Sequence, residues 1–527
     1  MKTSIALSSL LASLAAAAES CPDYSDYAQQ RHEPFSSGQH KLSYQRPAPA
    51  CRTFNSSDVE EVIERMESAI SDPDLYRLFQ NTYPNTLDTA IKWRGVAANN
   101  SDEELTFVIT GDINAMWLRD SANQMQSYLP VLKADPSRDG VASLYRGVIN
   151  LQARYLLTSP YCNSFQAPLE SRIPAAENGA AAADSVTPPY SNASVFECKY
   201  ELDSLAAFLE VSANYYNSTG DLDFFGRFQW VSAVQAVLGV ARAMQTPTYG
   251  ADGAVLDSPY KFTRQTTRST ETFANDGLGS PVAAGTGLIR SGFRPSDDST
   301  TFQLFIPANM MFARYLEPTA EIVAGLGAGA PAGLADEMKA LAASLRASIA
   351  KYGIVPTKRA PDDSSGGHFD TVYAFEVDGF GSSLIMDDAN IPSLLAAPFL
   401  GYLDAADPVY RRTRALILDA ATPNGNPYFM RGPVVGAVGG PHQGPGMAWP
   451  MAAIVRILTS DDDDEIAGQL REIVGSTDGL GLIHESINTF DQSHWTRQWF
   501  SWANGLFGQM IIDLEVRKPH LLKQSYQ

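Results

Sequence analysis

From Asp58 onward apolar residues recur at helical spacing, with Val59, Val62, Ile63 and Met66 following a Ser56-Ser57-Asp58 cap. Strand-like alternation is scarce in the rest of the chain. Its best cases, Leu105–Thr110 and Tyr373–Val377, are both short. What recurs instead is a compound unit in which a polar loop bearing Gly, Pro or Asp runs straight into an apolar helix. It occurs six times, at Gly111–Asp120, Glu197–Asp203, Ser291–Asp298, Met386–Asn390, Gly440–Gly446 and His484–Asn488. Helices over Ser204–Ala213 and Ile306–Leu316 follow such loops, and more amphipathic stretches such as Ala335–Ala350 fall between them. Six inner helices alternating with six outer ones would produce this layout. In such an (α/α)6 barrel the loops entering the inner helices gather at one end and build a single polar cavity. An irregular all-helical bundle with unrelated loops fits the pattern equally well. Either way the expectation is an all-α-dominated fold with few short strands. The helical region runs over 58–520, after a lead-in at 19–57 rich in Pro, Ser and Tyr.

Composition narrows the partners. The chain has 527 residues, 44% hydrophobic and 19% charged, which suits a large packed core and argues against disorder. Its formal charge of −20 would repel nucleic-acid phosphates and anionic membrane surfaces. Residues 1–18 read as a signal peptide: Lys2, an apolar run over Ile5–Leu14, then a small-residue cleavage site at Ala15–Ala18. That run is too short to span a membrane, which takes about 20 apolar residues. Four cysteines, an even number, suit an oxidising compartment, and nearest neighbours would pair as Cys21 with Cys51 and Cys162 with Cys198. Asn55, Asn99, Asn192 and Asn217 head N-glycosylation sequons. A secreted protein is expected. The oligomeric state is not legible.

The polar loops share carboxylates, Trp or Phe, Arg, Asn, Gln and His, with almost no Lys. That mixture suits a neutral polyol: carboxylates and amides bond hydroxyls, and aromatic faces cover the C–H face of a sugar ring. No GxGxxG after a strand, Walker A, HExxH or GxSxG sequence occurs, and the histidines lack metal-ligand spacing. No cofactor and no metal is expected.

Glycoside hydrolysis needs two carboxyl groups, one protonated and one ionised. Asp297-Asp298 follows Arg294-Pro295 and precedes a helix expected to start near Ser299. Adjacent carboxyls repel, so one can keep its proton as a general acid must, while the other caps the helix. Glu485 is the second candidate, just before Trp495, Trp499, Phe500 and Trp502. The spacing of those tryptophans fits one helical face packed in the core. Further candidates for sugar contact are Trp117, Arg119, Asp120, Arg294, Asp387, Asp388, His442 and Gln443. Arg119 beside Asp120 reads either as a buried ion pair or as a clamp on hydroxyls at the blind end of the cavity.

Through Gly111–Ser121, Ser291–Asp298, Gly440–Gly446 and His484–Ser486, the chain resembles glycoside hydrolase family 125, inverting exo-α-1,6-mannosidases built on an (α/α)6 barrel. The resemblance runs from about Thr110 to Leu514. It implies a general acid within Asp297-Asp298 and a general base at Glu485. Arg119, Asp120, His442 and Gln443 would then line the subsite for a terminal mannose. The substrate it implies is an α-mannoside oligosaccharide, N-glycan or mannan. The lead-in before Asp58 and a Gly/Ala-rich insert at Gly179–Asp184 look particular to this chain. Rival readings keep the barrel but change the sugar to an α-glucoside, make the protein a non-catalytic mannan binder, or use a metal.

Overall fold

The computed structural model describes residues 21–357, 370–419 and 425–527, so the signal-peptide segment lies outside the described residues. Among them, twelve helices of nine or more residues carry the chain. In order they are α1 Ser57–Ala69, α2 Pro73–Thr82, α3 Leu118–Gln126, α4 Val141–Thr158, α5 Leu202–Thr219 and α6 Trp230–Ala243. They continue as α7 Ile306–Gly325, α8 Leu334–Ser348, α9 Pro408–Ile417, α10 Pro450–Leu458, α11 Asp463–Gly475 and α12 Ser501–Arg517. The first begins as its pattern predicts, with Ser56 accepting the Val59 N–H and Val59, Val62, Ile63 and Met66 buried.

The architecture is an (α/α)6 barrel. α3, α5, α7, α10 and α12 are buried along nearly their whole length and form the inner ring. α3 packs on α5, α5 on α7, α10 on α12, and α12 closes back onto α3. The remaining inner position, between α7 and α10, is filled by buried turns over 393–400 rather than a helix. There the Asp387 carboxylate accepts the Leu394 and Leu395 N–H groups, each at 2.9 Å, standing in for a helical start. Outer helices back this ring: α4 lies against α6, α8 against α7, α11 against α10 and α2 against α12. Each of the six polar loops leads into one inner position.

Short antiparallel ladders knit those loops together. Met116–Trp117 pairs with Ser164–Phe165, which pairs with Val195–Glu197. Met447–Ala448 pairs with Ser486–Asn488, which pairs with Asp491–Thr496. The longest strands, β1 Ile91–Ala97 and β2 Asn100–Val108, form a hairpin over α4. Of the expected Leu105–Thr110 alternation, Leu105–Val108 is the inner end of β2, and the whole stretch is buried rather than alternating. The Tyr373–Val377 stretch divides instead into Thr371–Tyr373 and Glu376–Val377, which pair in separate sheets.

Three expectations need correction. No helix starts near Ser299. The chain stays irregular or extended to Phe305, because the Thr301 and Phe302 N–H groups are taken by the Glu376 carboxylate at 2.8 and 2.9 Å. The tryptophans do not share one helical face: Trp495 lies in a strand, Trp499 precedes α12, and Trp502 lies within it. The helices following the second and third polar loops are longer than their apolar runs, because tertiary burial extends them.

Both expected disulfides form, Cys21–Cys51 and Cys162–Cys198. The lead-in has little regular structure but is tied to the barrel: Ser43 N–H donates to Gly479 O at 3.0 Å, and Arg46 pairs with Asp88 at 2.7 Å. The Gly/Ala-rich insert folds as a short turn. It leads into a strand, Asp184–Thr187, whose Asp184 pairs with Arg264 at 2.6 Å. Among the described residues no helix is long and apolar enough to cross a membrane.

Candidate active site

Five of the six loops line one polar cup, and the second, Glu197–Asp203, reaches it from behind through Arg119. Its walls include Trp117, Arg119 and Asp120 from the entrance to α3, Asp297 from the turn before α7, His442 and Glu485. Gly111 sits at its edge with φ +128°, where an added Cβ would lie 2.1 Å from Trp499 O. A glycine is therefore required for the first loop to approach the Trp499–Phe500 segment.

Asp297 and Asp298 are adjacent in sequence but part in space. Asp297 adopts a left-handed φ of +66°, which turns its side chain into the cup while Asp298 points behind it. Side-chain exposure separates them, 24% against 2%. Asp297 Oδ1 accepts from Trp117 Nε1 at 3.2 Å and Asn163 Nδ2 at 2.8 Å, and lies 3.6 Å from Arg119. Asp298 instead meets His442 Nδ1 at 3.3 Å. Burial alone would lower the His442 pKa. The Asp298 hydrogen bond and the charges of Asp298, Glu485 and Asp297 outweigh it and raise it to about 9.

Arg119 is the hub of the acid wall. It lies 2.5 Å from Asp120, 3.1 Å from Glu201 and 3.1 Å from Asp203, and is 3% exposed. Arg119 is a buried ion-pair centre, as the first reading has it, and its side chain also lines the cup. Burial opposes its charge, but Glu201, Asp120, Asp297 and Asp203 together hold the guanidinium firmly protonated. Burial raises the Asp120 carboxyl despite Arg119, and raises Asp203 to about 6.

Across the cup, Glu485 has a different setting. Its Oε2 accepts from Gln443 Nε2 at 3.1 Å and Thr496 Oγ1 at 2.9 Å, and Arg497 lies 3.6 Å from Oε1. Arg497 is itself held by Asp112 at 2.5 Å and by the Phe500 ring face, 4.4 Å from the ring centre. Next to Glu485, His484 stacks on Trp495 at 4.3 Å, and burial lowers its pKa to about 4, so it is neutral at physiological pH.

Of the residues singled out from sequence, the structure brings Asp297, Glu485, Trp117, Arg119, Asp120 and His442 to one cup. Asp298 stands directly behind it, and Gln443 is aimed at Glu485 rather than lining the cup. Three are corrected. Arg294 is buried against Glu376 at 2.6 Å and closes the turn through its backbone, so its side chain is not a sugar contact. Asp387 spends both oxygens on the 394–395 amides. Asp388 braces the turn, accepting from Ser296 at 3.2 Å and from Asn390. Four further residues escaped the reading: Glu201, Asn163, Trp449 and Arg497. Glu201 lay within a recognised loop but had no second carboxylate beside it, and the others carry no local signal.

Among the described residues no group of three or more His, Cys, Asp and Glu side chains has metal-site geometry. The arrangement offers two carboxyl groups on one polar cup, each with its own partners, which is the equipment for acid and base assistance at a glycosidic bond.

Comparison with known proteins agrees with that chemistry. Residues 72–512 match the family model described as metal-independent alpha-mannosidase (GH125). The meiotically up-regulated gene 157 protein of Schizosaccharomyces pombe is 46% identical over 508 residues, covering 96% of this chain and 95% of that relative. A solved Streptococcus pneumoniae metal-independent alpha mannosidase, in a non-productive complex with alpha-1,6-mannobiose, superposes with a TM-score of 0.74. Its identity is 33%, over 88% of this chain and 100% of that chain.

Proposed function

Because this chain belongs to the metal-independent α-mannosidase family GH125 and is a glycoside hydrolase of that kind, we propose that it releases terminal mannose from α-1,6-linked mannosides with inversion. The observation that carries the proposal is the single cup lined by both Asp297 and Glu485, each with its own set of partners.

In this reading Asp297 is the general acid, since it faces the cup while Asp298 is covered and engaged with His442. Its proton passes to the glycosidic oxygen as the bond to C1 breaks. Glu485 takes a proton from a water that attacks C1 from the opposite face, so an α-mannoside yields β-mannose. An inverting enzyme needs about 6.5–9.5 Å between its two carboxyls to admit that water. Trp117 offers an aromatic wall, and Arg119 with Asp120 and His442 offers donors and acceptors for the hydroxyls of the terminal mannose.

The deciding experiment is hydrolysis of α-1,6-, α-1,3- and α-1,2-mannobiose, with and without chelator, followed by NMR of the product first formed. Preferred cleavage of the 1,6 linkage, β-mannose as first product and indifference to chelator are expected. First-formed α-mannose would discard inversion, and faster cleavage of another linkage would discard the assigned specificity.

We further propose that the protein is a secretory-pathway glycoprotein. Two disulfides and the exposure of Asn55, Asn99, Asn192 and Asn217 support this. A glycan-specific amidase should shift its mobility on a gel. An unshifted product from the native host would reject glycosylation.

A further inference from the structure

Beside Asp297 lies a carboxyl that the proposed acid–base pair does not use, that of Glu201, 1% exposed. Asn163 Nδ2 reaches Glu201 Oε1 at 3.2 Å and Asp297 Oδ1 at 2.8 Å. Arg119 Nη2 likewise lies 3.1 Å from Glu201 and 3.6 Å from Asp297. Ser204 Oγ fixes the other Glu201 oxygen at 2.9 Å. The two carboxyls share the same two donors, Asn163 and Arg119. Such a pair titrates as a unit and retains one proton over a wide pH range.

We propose that Glu201 is a positioning residue that stores, beside Asp297, the proton which Asp297 delivers to the leaving oxygen. This rests on the hydrolase reading above and extends it to the supply of the acid proton. The groups facing Glu201 favour the arrangement. Arg119 and Asp120 come from α3, Asp203 and Ser204 from α5, and Glu197 and Lys199 from the preceding loop. Tyr260 lies near it, His442, Glu485 and Arg497 line the same cup, and Asp298 stands behind the cup against His442. Burial pushes the Glu201 carboxyl well above the ordinary carboxylate range. Burial would raise Asp297 too, but Lys199, Arg119 and the Glu201 hydrogen bond outweigh it and hold Asp297 low. That asymmetry places the stored proton of the proposal on Glu201.

During turnover that proton moves from Glu201 to Asp297 and on to the glycosidic oxygen, which leaves with the bonding electrons. The attacking water gives its own proton to Glu485. Glu485 then releases a proton to solvent, and a solvent proton restores the Glu201–Asp297 pair.

Glu201→Gln keeps size and hydrogen bonding but stores no proton. On α-1,6-mannobiose, kcat/KM should fall about 100-fold, and the basic limb of its pH profile should move down by about one pH unit or more. On α-mannosyl fluoride, whose leaving group needs little protonation, the same variant should stay within about threefold of wild type. A merely structural role would lower both substrates together and leave the limb in place, and that result would overturn the proposal. Should Glu201→Gln fail to unfold cooperatively, Glu201→Asp is measured instead. A shorter acid should keep the basic limb of wild type, and a limb that moves as predicted for the amide overturns the idea. A wild-type protein that cleaves neither substrate rejects the hydrolase reading itself, whereas an active wild type with an indifferent Glu201→Gln rejects only the proton store.

Discussion

The two walls of the cup solve opposite electrostatic problems. On the Asp297 wall, four carboxyls crowd a single buried guanidinium, and Asn163 and Lys199 flank the Cys162–Cys198 bridge. On the Glu485 wall, one carboxylate takes two neutral donors and a more distant arginine, and no disulfide braces it. Excess buried negative charge favours keeping a proton on the first wall. The same residue type is thus given two roles by its surroundings.

The most direct way to break this contrast is to neutralise each wall. Asp297→Asn and Glu485→Gln should each cost on the order of 10³-fold in kcat on α-1,6-mannobiose. They should differ on α-mannosyl fluoride, where Asp297→Asn regains much of its rate and Glu485→Gln does not. Equal recovery of both variants would mean that the two walls are not acid and base.

A second test removes the covalent brace. Cys162→Ser with Cys198→Ser opens a loop of 36 residues and should cost about 3–4 kcal/mol of stability, read by denaturant unfolding. Cys21→Ser with Cys51→Ser opens a loop of 30 and should cost a similar amount. Only the first pair adjoins Asn163 and Lys199, so only it should also slow mannobiose more than the fluoride. If both pairs alter that ratio alike, the bridge has no special bearing on the acid wall.

A smaller effect is expected from Gln443→Ala, which takes one donor from Glu485 but leaves Thr496 and Arg497 in place. The loss should be about tenfold in kcat, the scale of one hydrogen bond to a charged group. An unchanged rate would show that the Glu485 wall does not depend on Gln443.

The loop–helix units were legible because their punctuation is local: polar loops bearing Gly, Pro and Asp, then apolar runs long enough for buried helices; choosing a barrel over an irregular bundle took the chemistry of the loops and the family resemblance as well. Much of the cup followed, since loops entering inner helices share one end. What was not legible is which way a polar side chain turns. Asp387 and Arg294 have the residue types and loop positions of sugar contacts, yet one caps backbone amides and the other neutralises Glu376. Asp297 and Asp298 are divided by one left-handed φ. Glu201, Asn163 and Arg497 reach the site through ladders and a disulfide that join distant segments, and no local spacing records that. The helix expected at Ser299 failed for the same reason, because its amides are claimed by Glu376 from another part of the chain.

The smallest effect concerns stability at the rim, where His442 meets Asp298. The His442 pKa is raised to about 9 in the folded protein, against roughly 6.5 for an unperturbed histidine. Its stabilising contribution is therefore complete below about pH 6.5 and is lost as pH rises through 9. Because the imidazole is partly open to solvent, the contribution is about 1 kcal/mol rather than what the full shift would suggest. Asp298→Asn removes the partner, so the His442 pKa should fall toward its ordinary value, read by NMR titration of the ring protons. The decline in thermal stability between pH 6.5 and 9 should flatten at the same time. A His442 that still titrates near 9 in Asp298→Asn would assign its charge to Glu485 and Asp297. The rim would then belong electrostatically to both walls of the cup rather than to the covered aspartate.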